Sequence, residues 1–126
     1  MNLHDLSQLY YLNSEINIDK ERLKDLKNII LNEKDKKLSC SNDIKAEIDK
    51  LENDISKKLL QCICERRRLE KYISQIPDSL TRQIFTLRFI EGYSWRQVTQ
   101  KIGWKNSEDN VRQICRRYIK QHRDKK

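Results

Sequence analysis

The sequence predicts an all-α fold: an antiparallel helical hairpin over residues 1–76, then a three-helix domain over residues 77–126. Two observations carry this expectation. Helix breakers are scarce, with one proline and two glycines in 126 residues. All of them (Pro77, Gly92 and Gly103) fall in the second half, at the seams between short amphipathic segments. Apolar residues recur every three or four positions, and no run alternates with the period of two that a half-buried strand requires. Charged residues make up 37% and mean hydropathy is -0.92, a polarity that also suits disorder, but disordered chains lack this helical spacing.

The first helix of the arm carries the seam Leu9, Leu12, Ile16, Leu23, Leu26 and Ile30, with polar Asp19 at the missing step. The second carries Ile44, Ile48, Leu51, Ile55, Leu59 and Cys62, then Leu69, Ile73 and Ile76, with an interruption near Arg66. A spacing that averages 3.5 residues over several turns is the signature of a coiled coil. The polar stretch Asn32 to Asn42 is expected to close the hairpin, with Ser41 or Asn42 capping the second helix. Each helix alone is polar over most of its surface and marginal in water, so its stability must come from zipping the stripes together. The seam can close within one chain or between two copies, and a homodimer through the arm is a candidate assembly. Asp19 either fixes the register, as a polar seam residue can, or marks a place where the helices splay. Arg66, Arg67 and Arg68 span about 200° of a helix. They read either as solvated side chains or as an auxiliary phosphate contact.

Pro77 ends the long helix, because it lacks a backbone donor and disfavours helix in the residue before it. Asp78 or Ser79 caps a helix running from about Leu80 to Glu91, with Leu80, Ile84 and Leu87 as its inner face and Phe85 and Phe89 flanking. After the turn at Glu91-Gly92-Tyr93, the run Ser94-Trp95-Arg96-Gln97 fits a capping box that starts a short helix ending at Ile102. Gly103 stands where a helix end wants a left-handed residue. Ser107 caps the last helix, about Glu108 to His122, with acids in its first turn where the helix dipole favours them. At 100° per residue, Val111, Ile114, Cys115, Tyr118 and Ile119 share one sector of this helix, and Asp109, Arg112, Gln113, Arg116, Arg117 and Lys120 lie opposite. Trp104 in the turn and Trp95 read as plugs at the ends of a small core, with base stacking as the alternative.

Charge separates the two halves. Residues 1–76 hold fifteen Lys and Arg against fourteen Asp and Glu, while residues 77–126 hold twelve against five. Nearly all of the net +8 therefore sits on the three-helix unit, which implies a polyanionic partner for that unit. Two short helices joined by a turn, the second fronted by cations, form a helix-turn-helix pattern. Arginine can grip guanine and glutamine adenine with paired hydrogen bonds, while lysine neutralises phosphate. The candidate DNA contacts are Arg112, Gln113, Arg116, Arg117 and Lys120 on the last helix, Lys105 and Asn110 near its start, and Arg96 and Gln97 on the helix before it. Double-stranded DNA is the expected partner.

The stretch Leu80–Lys120, above all IEGYSWRQVTQKIGW and NVRQICRRYIK, resembles region four of sigma factors. It is most similar to the sigma-like phage regulators of the RinA and ArpU type, which join a helical arm to such a domain. Gly92-Tyr93-Ser94, Val98, Ile102-Gly103-Trp104 and Val111-Arg112 match the pattern's turn, core and recognition-helix start. The resemblance implies transcriptional regulation of phage or prophage genes through promoter DNA, with RNA polymerase as a further partner. Three departures stand out: Thr99 in place of the usual alanine, a longer stretch from Gly103 to Val111, and Ile114 at a position often basic. A phage DNA-packaging small subunit, which also combines such a domain with oligomerising helices, is the alternative.

Neither catalysis, a cofactor nor a metal is expected. There is no glycine cradle for phosphate and no clustered carboxylates. His4 and His122 lie near opposite ends, and Cys62 and Cys64 point apart on a helix, so no zinc spacing exists. Cys40, Cys62, Cys64 and Cys115 are expected as reduced thiols. No run approaches the roughly 20 apolar residues of a membrane span, and the start MNLHDLSQLYY lacks the pattern of a secretory signal. A cytoplasmic protein without a membrane partner is the expectation.

Overall fold

The computed structural model describes residues 1–32, 41–103 and 106–122. Among these, every regular element is helical: α1 (Leu3–Leu6), α2 (Gln8–Asn32), α3 (Ser41–Ser74), α4 (Ser79–Phe85), a π-helical turn (Thr86–Ile90), α5 (Trp95–Ile102) and α6 (Glu108–His122). Most of the connection expected at Asn32 to Asn42, like Trp104 and Lys105, lies outside the described residues. The chain divides into two compact units, one of residues 1–11 with 64–126 and the other of residues 12–63.

Residues 12–63 hold the seam pairings of α2 and α3. Asn13 meets Cys62 at 3.6 Å, Asp19 meets Lys58 at 2.6 Å and Arg22 meets Glu47, so partners run in opposite order along the two helices. Ile16, Ile48, Leu51, Ile55 and Cys62 are buried. Leu59, placed in the seam by spacing, is instead 44% exposed, and Lys58 takes the step. The reason is Asp19: a carboxylate facing the seam needs a cation, and Lys58 supplies one while also reaching Glu15 at 3.3 Å. Both acids hold the Lys58 ammonium above its usual range, the hydrogen bond to Asp19 contributing most.

The other unit has a dry core. Leu6, Leu69, Ile76, Ile84, Phe85, Val98, Val111 and Cys115 are all below 2% exposure. Asn2 and Asp5 close a capping box over α1. Arg68 then ties α1 down, donating to the Asp5 carbonyl at 2.9 Å while Glu65 at 2.6 Å balances its charge.

Asp78 caps α4 by accepting from the backbone N–H and the hydroxyl of Thr81 at 3.0 and 2.7 Å. Those bonds favour the ionised carboxylate and hold it below its usual range. The helix expected to run on to Glu91 widens after Phe85, where the Thr86 hydroxyl donates back to the Arg82 carbonyl at 2.9 Å and the Glu91 N–H reaches Thr86. Phe85 and Phe89 meet edge to face at 5.3 Å and hold the centre of the core, while Leu80 and Leu87, expected on the inner face, sit at its margin. Tyr118 from α6 packs on Phe85 at 5.4 Å. α4, α5 and α6 all pack on one another.

Candidate nucleic-acid interface

α5 and α6 are framed by local chemistry. Gly92 takes φ 74°, a conformation that favours glycine, and so lets the chain turn. Ser94 then caps α5, accepting from the Gln97 N–H at 3.2 Å, while the Gln97 side chain accepts from the Ser94 N–H at 2.9 Å. Gly103 ends the helix at φ 120° and ψ 177°, extended rather than helical but equally reserved for glycine. The Ser107 hydroxyl accepts from the Asn110 N–H at 3.1 Å to start α6. Val111 and Cys115 anchor the inner face of α6, which turns the opposite face outward.

The outward face divides into paired and unpaired groups. Arg116 and Lys120, one turn apart, are exposed and have no partner among the described residues. Arg96, at the start of α5, is likewise exposed and unpaired. Arg117 donates to the Gln113 side chain at 3.1 Å, so those two brace each other. The Asn110 amide donates to the Asn106 side chain at 3.2 Å. Gln97 is held by its capping role, and Lys105 lies outside the described residues.

Arg112 differs from its neighbours. Half-buried, it pairs with Glu108 at 2.8 Å and lies 6.0 Å from the Trp95 ring centre, and its Nε–H is buried without an acceptor. Trp95 also receives Arg88, whose guanidinium carbon lies 4.7 Å from the ring centre, while the same guanidinium donates to the Tyr93 carbonyl at 2.9 Å. Trp95 is thus a half-buried platform gripped by two cations. Arg88 did not figure in the sequence reading, because only the fold brings residue 88 to residue 95.

These side chains border a concavity of about 730 Å³. α6 lines it with Arg112, Arg116 and Lys120, and Arg88 and Trp95 add to the same wall. Leu3, Ser7, Tyr10 and Tyr11, from the start of the chain, also line it. Among the described residues that line it, none is Asp or Glu.

Cys64 is exposed and Cys115 buried, neither in a disulfide, and burial pushes the Cys115 thiol up to about 12 despite the opposing pull of Arg88 and Arg116. No group of three or more His, Cys, Asp and Glu among the described residues could hold a metal ion. No helix among them is long and apolar enough to cross a membrane. The chain matches no protein-family model, no curated protein and no solved structure.

Proposed function

We propose that this chain is a DNA-binding transcriptional regulator whose α5 and α6 form a helix-turn-helix of the sigma region-four kind. The observation that carries the reading is the state of Arg116 and Lys120: two exposed cations one turn apart, without a partner among the described residues, on a helix whose other face is anchored in a dry core. Unpaired cations on a rigid element meet a polyanion without first breaking ion pairs. Arg96 would touch the phosphate backbone, while Arg117, Gln113 and Asn110 would have to exchange their mutual bonds for bases or phosphates. If the resemblance to phage regulators of the RinA and ArpU type holds, the target would be promoter DNA, with RNA polymerase as a further partner, in the cytoplasm.

The test is duplex binding as a function of salt. Releasing counterions gives log K a slope of about 0.9 per neutralised phosphate. Replacing Arg116→Gln and Lys120→Gln together should lower affinity and flatten the slope by about two. An unchanged slope would remove this face from the interface. Selection from randomised duplexes then shows whether bases are read or only phosphates.

Self-association belongs to the same reading. Ile18, Leu59, Leu60 and Ile63 are 44–68% exposed. The Asp19–Lys58 contact sets them at one level of the α2–α3 pair. A second copy would cover them. Sedimentation equilibrium should find a dimer, and a ring of many subunits would instead favour the DNA-packaging alternative.

A further inference from the structure

The concavity beside α6 is itself unusual in composition. Its about 730 Å³ falls in the range of small-molecule sites, roughly 300–1,000 Å³. Four cations line it (Arg88, Arg112, Arg116 and Lys120), and among the described residues no carboxylate does. Glu108 neutralises Arg112 alone, and neither Arg116 nor Lys120 has a partner among the described residues. Cations gathered in a recess repel one another, and a bound anion would relieve that cost.

Aromatic surface lies beside that charge. Tyr10 and Tyr11, edge to face at 5.7 Å, are left 56% and 53% exposed, and both line the recess. Half-exposed aromatic faces are platforms on which a flat ring stacks. A duplex is too wide to fit inside a recess of this size and meets only what Arg116 and Lys120 expose to solvent. A single small molecule fits.

We propose that the recess binds a nucleotide, its phosphates held by Arg116, Lys120 and Arg112 and its base against Tyr10 and Tyr11. Because the phosphates would take the same two cations that face DNA, the nucleotide and the duplex compete. That regulatory consequence rests on the DNA-binding reading, whereas the site itself does not.

Calorimetric titration of the full chain with ATP, with inorganic triphosphate in parallel, tests the proposal. ATP should bind saturably and at least tenfold more tightly than triphosphate. Arg116→Gln with Lys120→Gln should weaken ATP at least tenfold, and Tyr11→Ala at least threefold. These residues are exposed, so the variants keep the core intact, which circular dichroism checks. Absence of saturable ATP binding overturns the site. Equal affinity for triphosphate, or a Tyr11→Ala variant that binds ATP as the parent does, overturns the aromatic half and with it the assignment to a nucleotide. Duplex binding measured on the same samples separates the two proposals. DNA bound without ATP sinks only the nucleotide site; ATP bound without DNA sinks only the regulator. Duplex affinity unchanged by saturating ATP overturns the competition.

Discussion

The two compact units use similar amphipathic helices and reach different kinds of interior. Every side chain below 2% exposure among the largest buried ones belongs to residues 1–11 and 64–126. In residues 12–63 the seam residues Ile48, Leu51, Ile55 and Cys62 keep 8–9% of their surface in solvent. The difference is one of closure. Two helices bury a stripe on each and leave its edges wet, whereas crossing helices that meet around Phe85 cover it from several sides. Close packing is therefore concentrated around Phe85 and α6, and the seam relies in part on polar pairing such as Asp19 with Lys58.

The largest expected effect sharpens that contrast. Phe85→Ala removes a fully buried ring in contact with Phe89 and Tyr118. It should cost about 3–5 kcal/mol in urea unfolding, a large part of any small domain's stability. Ile55→Ala, at the edge of the seam, should cost about 2 kcal/mol. Equal losses would mean that the seam is as well closed as the core and would erase the distinction.

A second test addresses the polar step. Lys58→Leu alone strands the Asp19 carboxylate, only 18% exposed, against apolar neighbours and should lower the melting temperature. Adding Asp19→Leu should restore or raise it, because a continuous apolar seam replaces a half-desolvated ion pair. Sedimentation of the double variant shows whether the pair also sets the register. A shift to higher oligomers, with the melting temperature kept, would give Asp19 the register role. A double variant as unstable as the single one would make the pair a stabilising contact in its own right.

What the sequence made legible was local. α5 begins and ends, and α6 begins, where caps and a glycine put them, because Ser94 with Gln97, Gly103 and Ser107 act within one turn of chain. The angular separation of Val111 and Cys115 from Arg116 and Lys120 is likewise a property of helix periodicity. Three features were not legible, and each depends on residues far apart in sequence. The π-helical turn answers to aromatic packing around Phe85, which spacing alone does not contain. The half-burial of Arg112 answers to Trp95, seventeen positions away. The capture of α1 answers to Arg68, sixty-three positions from Asp5, in a run of three arginines whose members share no common role. Arg66 merely pairs with Glu70 in solvent.

The smallest effect compares the two interiors through their cysteines. Cys64, exposed, sets the reference rate for alkylation. Cys62 lies in the seam beside Asn13, and Cys115 lies in the closed core with its thiol pushed up to about 12. A thiol must ionise to react and must be reached. Cys62 should therefore label after local opening of the α2–α3 pair, and Cys115 only with global unfolding, as site-resolved mass spectrometry would read. Linkage adds a check with a definite sign. The folded value lies above the ordinary 9.0, so above about pH 9 the unfolded chain releases this proton first and native stability falls until about pH 12. Cys115→Ala should be less stable at neutral pH yet lose less over that alkaline window than the parent. Cys115 labelling as fast as Cys62 would mean that the closed core opens as readily as the seam, and the contrast between the units would fail at its most buried point.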